Sequence, residues 1–329
     1  MDQVKDTISQ LLVSPKGLLA ADESTKTIQK RFDTLGIECN EQSRLAYRKM
    51  LFSTPGVEEF LSGVILYDET IRQNIDGVPI PKYLENRGIV PGIKVDRGTE
   101  QMGSTNELVT KGLEGLEERL IEYKQMGAKF TKWRMVVKIG EGMPTEECLK
   151  ENIRRLAQYA KIAQSMDLVP IIEPEVVRDG RHDLKKCQEI TTKMLKKVFE
   201  KMSEAEIALD RLILKTNMVT AGGDNPSQAN PEEVAQSTVE SLMESVPKEV
   251  PGIVFLSGGQ SPDMATQNLN AIVKIGPPSG GWTLSFSFAR ALQDEPLMEW
   301  GGKEENVGAA QKVFLERLKK VALAREGKL

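Results

Sequence analysis

The chain has 329 residues, 40% of them hydrophobic and 28% charged, with 44 basic and 48 acidic side chains and a single histidine, His182. That near-balance gives no basis for nucleic acid or an anionic membrane as the main partner. Catalytic zinc sites usually take two or three histidines from one chain, so one histidine with three cysteines argues against a dedicated zinc or iron site, and acid–base work beyond a Ser-His-Asp relay must fall to Asp, Glu, Lys or Tyr.

The opening residues are polar and show no apolar signal segment. No apolar run approaches the roughly 18 residues of a membrane helix. Cys39, Cys148 and Cys187 are widely spaced, which fits structural thiols in a reducing compartment. A cytoplasmic protein is expected. Eight short apolar runs follow in chain order: 17–22, 62–68, 88–96, 129–136, 168–175, 211–217, 252–259 and 282–287. They start about 40 residues apart, room for a strand, a helix and two loops each. Helical spacing of apolar residues marks 41–51, 145–166, 184–201, 231–245, 262–274 and 304–325. In the second of these, Leu149, Ile153, Leu156, Ala157, Ala160 and Ala163 form one stripe behind a start at Thr145. The stretch 221–231, AGGDNPSQANP, reads as one mobile loop, and His182 as a polar loop or cap residue.

Continuous apolar strands alternating with helices imply a parallel sheet covered on its outside. Eight of them make a closed (β/α)8 TIM barrel the expected fold, with extra helices at the N- and C-terminal ends. A doubly wound open sheet is second, because no Gly-x-Gly-x-x-Gly follows the first strand. No composition break divides the chain, so residues 1–329 are expected to form one domain.

These buried strands end in charge, and the charges recur two residues apart, which puts them on one strand face. Lys94 pairs with Asp96, Lys132 with Arg134 and Glu173 with Glu175, while Asp22 and Lys215 close two further runs. One such charge is explained by a strand reaching the surface. Five carboxyl ends together are not, since the amino ends carry no comparable set, and carboxyl ends are where barrel enzymes place their sites. Trp133, between Lys132 and Arg134, falls on the opposite face and is expected in the core. A lysine at the end of an apolar strand and near Lys132 would lose its proton readily and attack carbonyls as a Schiff-base nucleophile. Glu173 and Glu175 could move protons, one of them with a pKa raised by its neighbour. Paired carboxylates also suit glycoside hydrolysis, with Asp22 as the opposite member. Ser257, Gly258 and Gly259, before a helix near Asp263, could cradle a phosphate, with Arg290 completing that site.

At these residues the sequence resembles the class I, metal-independent fructose-1,6-bisphosphate aldolases, from about Gly17 to Gly302. The motifs are GLLAADEST (17–25), GVILYDET (63–70), GIKVDRG (92–98), KWRMVVKIGEG (132–142), PIIEPE (170–175), LKTNMVT (214–220) and FLSGGQS (255–261), extended by WTLSFSFARAL (282–292) and WGGKEEN (300–306). The resemblance implies reversible cleavage of fructose 1,6-bisphosphate to dihydroxyacetone phosphate and glyceraldehyde 3-phosphate, with no cofactor and no metal. It implies Lys215 as Schiff-base lysine, Glu173 as the acid–base for carbinolamine dehydration and Asp22 at the C4 hydroxyl proton. Lys132 would stabilise charge beside the nucleophile, with Glu175 ordering the lysines. One phosphate would sit on Ser257, Gly258 and Arg290, with Ser287 close by. The other would lie toward Lys94, Arg134, Ser24 and Thr27. A sugar phosphate is the implied partner, and tetramers are common among similar proteins.

The chain departs from that pattern in three places. Its last tyrosine is Tyr159, so the family's terminal tyrosine has no counterpart here; Thr216 replaces a proline after the lysine; and Ala289 stands where a glycine often precedes the arginine, so that a positive φ would carry a steric cost. A different Schiff-base aldolase or transaldolase-type enzyme, and a non-catalytic sugar-phosphate-binding scaffold, are the alternatives.

Overall fold

The computed structural model describes residues 2–103, 105–276 and 281–329. Eight parallel strands close into a barrel: Gly17–Ala21 (β1), Leu61–Leu66 (β2), Val90–Lys94 (β3), Phe130–Val137 (β4), Val169–Val176 (β5), Ile213–Thr216 (β6), Gly252–Phe255 (β7) and Thr283–Phe288 (β8). Each strand pairs with its neighbours in chain order, and β8 closes on β1 through Leu18–Ser287 and Leu19–Phe288. All eight expected strands are present, each shortened or shifted by a few residues.

Side chains alternate between two cores, as the two-residue strand period requires. Leu19, Val64, Ile93, Trp133, Met135, Ile172, Leu214 and Phe255 point outward into the layer under the helices. Trp133 is fully buried there and stacks on Tyr159 with ring centroids 5.4 Å apart. Leu18, Ala20, Ile65, Val90, Phe130, Val169, Ile171, Ile213 and Val254 point inward and fill the lower barrel. Glycine makes room for the largest of them: a Cβ on Gly92 would meet the Phe130 ring at 2.2 Å.

The helix Gln3–Leu11 seals the bottom, contributing Val4, Ile8 and Leu11 to the inner core. It starts on an Asp2 cap, whose side chain accepts from Val4 and Lys5 N–H, and Asp2 also pairs with Arg211 at 2.5 Å. The C-terminal helix Val307–Arg325 covers the side of the barrel and ends with Arg325 donating to the carbonyls of Leu12 and Val13. These are the expected extra terminal helices.

The helix Glu146–Ser165 begins at a Thr145 cap whose hydroxyl accepts from Cys148 N–H at 3.2 Å, and its expected apolar stripe is buried. The helices Thr25–Asp33, Leu116–Gln125 and Arg290–Trp300 and two small hairpins, Asn74–Ile75 with Val78–Pro79 and Thr99–Gln101 with Leu108–Thr110, are additions to the elements expected from sequence. Helix Thr25–Asp33 buries only Ile28 and Phe32, and the hairpins are too short to show a period.

Two loop expectations change. The 221–231 segment is tied down: Gly222 N–H donates to the His182 carbonyl at 2.8 Å, Asn225 to those of Arg181 and His182, and Gln228 to that of Gly222. His182 is a loop residue but not the cap. Asp183 caps the helix Leu184–Glu204, while both His182 ring nitrogens are buried without a hydrogen-bond partner, and burial lowers the ring's pKa. No helix among the described residues is long and apolar enough to cross a membrane.

Candidate active site

Two residues above the apolar layer, the same strand faces turn polar. Ala20 is followed by Asp22, Gly92 by Lys94 and Asp96, Phe130 by Lys132 and Arg134, Ile171 by Glu173 and Glu175, and Ile213 by Lys215. Their side chains line a cavity of about 910 Å³ at the carboxyl ends of the strands. Of the candidate residues, Asp22, Ser24, Thr27, Lys94, Lys132, Arg134, Glu173, Glu175, Lys215, Ser257, Gly258, Ser287 and Arg290 all border it. Gly259 does not; it lies behind the loop, with its carbonyl taken by Arg178 at 3.2 Å.

At the floor, Glu173 forms ion pairs with two lysines, Lys132 at 2.6 Å and Lys215 at 2.9 Å. Lys132 also donates to Asp22 at 2.9 Å. Asp22, Lys132, Glu173 and Lys215 are each at most 7% exposed, so the four charges interact through little water. Burial by itself raises a carboxylate pKa and lowers that of an ammonium. Here the partners win. Lys132 and Lys215 outweigh burial at Asp22 and Glu173, and both carboxyls are held below their usual range. Asp22 and Glu173 outweigh burial at Lys132, whose pKa is raised. The expectation of a carboxyl raised by its carboxylate neighbour is therefore corrected for Glu173. The lysines on β4 and β6 lie closer to it than sequence could show, and Glu175 turns instead to Arg134, with Oε2 2.5 Å from Nε. Lys132 stands between Asp22 and Glu173, where a glycosidase pair would leave space for the scissile bond.

One wall gathers groups that can hold an anion. Gly258 and Gly259 adopt φ of +40° and +78°, and a Cβ on Gly258 would strike Leu256 at 2.6 Å, so only glycine allows this turn beside Ser257. Ser287 is 1% exposed and its hydroxyl has no hydrogen-bond partner. Arg290 opens the helix Arg290–Trp300, placing a guanidinium and free backbone N–H groups at the same wall. Ala289 has φ of −103°, so the steric cost expected from replacing glycine there does not arise. Thr216 is fully buried, and its hydroxyl donates to the Pro174 carbonyl at 3.3 Å, tying β6 to β5 one residue beyond Lys215.

On the other wall Ser24 caps the helix Thr25–Asp33, its hydroxyl 3.0 Å from that of Thr27. Lys94 pairs with Asp96, whose other oxygen accepts from Arg134 N–H at 3.2 Å. Glu23, which sequence spacing did not single out, borders the cavity and pairs with Arg31 and, at 2.7 Å, with Arg48. Gln293, which accepts from Tyr47 at 3.0 Å, donates to the Ala20 carbonyl at 2.7 Å. This network holds the turn that carries Asp22. Its members come from three helices, and no local spacing links them. Arg97 and Lys111 at the cavity mouth were also missed, although Arg97 lies inside the GIKVDRG motif.

The family model described as fructose-bisphosphate aldolase class-I matches residues 3–329. A probable fructose-bisphosphate aldolase class 1 of Xanthomonas campestris is 46% identical, with 100% of this chain and 98% of that protein covered. Cytosolic fructose-bisphosphate aldolase 5 of Arabidopsis thaliana is 48% identical, with 99% and 91% covered. The solved Plasmodium falciparum fructose-bisphosphate aldolase, in complex with TRAP and a small-molecule inhibitor, superposes with a TM-score of 0.96 at 44% identity, covering 99% of this chain and 94% of that one. A full-length match thus joins a closed barrel with two lysines and two carboxylates interlocked at its mouth, and the chain belongs to the class I fructose-bisphosphate aldolase family.

Proposed function

We propose that Lys215 is the Schiff-base nucleophile of the reversible aldol cleavage of fructose 1,6-bisphosphate. The observation that carries this is the buried Lys215–Glu173–Lys132–Asp22 chain of ion pairs. Lys215 must shed a proton to attack, and Glu173 is the acceptor within reach. Its neutral amine adds to the C2 carbonyl to give a carbinolamine. Glu173 returns a proton to the departing hydroxyl, water leaves, and the iminium forms. Asp22 takes the proton of the C4 hydroxyl as the C3–C4 bond breaks and its electron pair moves into the iminium, giving an enamine and glyceraldehyde 3-phosphate. A proton equivalent to the one Asp22 took returns to C3, leaving Asp22 ionised, and water hydrolyses the regenerated iminium to release dihydroxyacetone phosphate and restore Lys215. Lys132 stabilises the negative charge that passes between the two carboxylates. Glu175 acts through Arg134, fixing its guanidinium above the floor.

The phosphate on C1 is assigned to Ser257, Gly258, Ser287 and Arg290, with Gly259 shaping the turn. The unpartnered Ser287 hydroxyl supports this placement. The phosphate on C6 is assigned to the wall of Ser24, Thr27, Lys94 and Arg134. Borohydride reduction in the presence of dihydroxyacetone phosphate should attach a three-carbon phosphate to Lys215. A peptide map without that adduct would sink the mechanism. Because the only histidine lies in a loop away from the cavity-lining residues, chelators are expected to leave turnover intact, and inhibition reversed by zinc would count against the metal-free mechanism.

We further propose that residues 1–329 act as one domain in the cytoplasm, where the Arabidopsis thaliana and Spinacia oleracea relatives are named cytosolic or cytoplasmic. The expected homo-oligomer is tested by sedimentation velocity on the full chain.

A further inference from the structure

We infer that Arg97 and Lys111, backed by Arg119, form a cationic rim that selects substrates carrying a second phosphate. This rests on the reading of the cavity as an aldolase site. At the C6 wall Lys94 is matched by Asp96 and Arg134 by Glu175, so this inner wall offers donors but no net positive charge. A phosphate dianion placed there needs compensation from elsewhere. Farther out, Arg97, Lys111 and Arg119 border the same cavity, and among the described residues none has a carboxylate within 4.0 Å.

The rim is built rather than incidental. Asp96 accepts from Gly98 N–H at 3.1 Å and sets the turn. Arg97 N–H donates to the Lys111 carbonyl at 2.8 Å and Lys111 N–H to that of Gly98 at 3.0 Å, so the two cations stand opposite each other at the base of the Thr99–Gln101/Leu108–Thr110 hairpin. Gly112, at φ +126°, lets the strands close: a Cβ there would lie 2.9 Å from Arg97 N. Arg119 is anchored to the Val95 carbonyl at 2.9 Å and to that of Gly112, with its Nε buried and unpartnered. Burial first, and then the nearby Arg97 charge, lower the Arg119 pKa, with Tyr123 and Asp68 acting in the opposite direction. An anion at the rim relieves that repulsion.

Fructose 1-phosphate keeps the phosphate assigned to Arg290 and lacks the one at this end, so it isolates the rim's contribution. Arg97 and Lys111 are exposed, and Arg97→Gln with Lys111→Gln removes their charge without opening the core. The double variant is expected to lower the ratio of kcat/KM for fructose 1,6-bisphosphate over fructose 1-phosphate roughly tenfold, mostly through KM for the bisphosphate. Added salt should compress the wild-type ratio toward that of the variant. Lys185→Gln with Lys186→Gln, which removes the same charge from a distant helix, should leave the ratio in place. An unchanged ratio in the rim variant, or an equal fall for both substrates, overturns the inference. Failure of the parent reading looks different: wild type would then give no borohydride adduct at Lys215.

Discussion

The lower and upper halves of the barrel interior are made by the same strands, two residues apart, and obey opposite rules. Below, Phe130, Ile171 and Ile213 join an apolar layer sealed by the helix Gln3–Leu11. Above, the next inward positions are Lys132, Glu173 and Lys215, as deeply buried as the hydrophobes but charged. Shape complementarity holds the lower half together, so its members are exchangeable for others of like volume. Mutual neutralisation holds the upper half, so removing Lys132 leaves Asp22, and removing Glu173 leaves Lys215, buried and unpaired. Stability and chemistry are thus stacked along one axis, with the site standing on a packed plug.

The largest test of this contrast is Lys215→Met, which is expected to lower turnover by roughly 10⁴-fold or more. Glu173 keeps Lys132 as a partner, so thermal melting should move far less than activity. Fructose 1,6-bisphosphate cleavage assays alongside calorimetry check both.

Next come two substitutions on the same strand. Lys132→Met leaves Asp22 buried without its ion-pair partner and Glu173 with Lys215 alone, and is expected to cost about 3–5 kcal/mol, with activity lost as well. Phe130→Ala, one step lower, should cost about 3–5 kcal/mol through the cavity it leaves, while the folded fraction still traps the Lys215 adduct. Urea denaturation and borohydride trapping separate them. Equal loss of trapping in both would erase the distinction between the halves.

A smaller effect is set by pH. Asp22 and Glu173 have folded pKa values below the unfolded ones, which are about 3.9 and 4.3. The unfolded chain therefore binds more protons as pH falls through about 4. The stabilisation from these groups is complete above that point and drains away on acidification toward the folded values. Lys132, with its pKa raised, contributes fully below about 10.4 and loses its contribution only as pH climbs beyond that toward the folded value. Unfolding free energies between pH 2 and 6 should show a slope that Asp22→Asn flattens and Phe130→Ala leaves alone.

The smallest expected change is Ala289→Gly. With φ at −103°, alanine meets no positive-φ penalty, so glycine should lower stability by under about 1 kcal/mol. The variant should alter kcat/KM less than about twofold. A clear gain in rate would mean that alanine constrains the Arg290 wall after all.

Much of this was legible in the sequence because strand period and burial are local. Pairs two residues apart must share a face, so Lys132 with Arg134 and Glu173 with Glu175 could be placed at one end of a barrel without coordinates. Their partners could not. Sequence spacing set Glu173 beside Glu175, whereas closure of β4 and β6 around β5 sets it between Lys132 and Lys215, and this reverses the direction of its pKa shift. The Glu23–Arg31–Arg48–Gln293 network and the Arg97–Lys111 rim were invisible for the same reason, as was the negative φ of Ala289.

By itself, then, the sequence determined the alternation of strands and helices, the apolar and charged positions on each strand, and the motifs that name the family. The tertiary structure alone decided which charge neutralises which. Coulombic pairing depends on distances of a few ångströms across strands remote in the chain, and only barrel closure sets those distances.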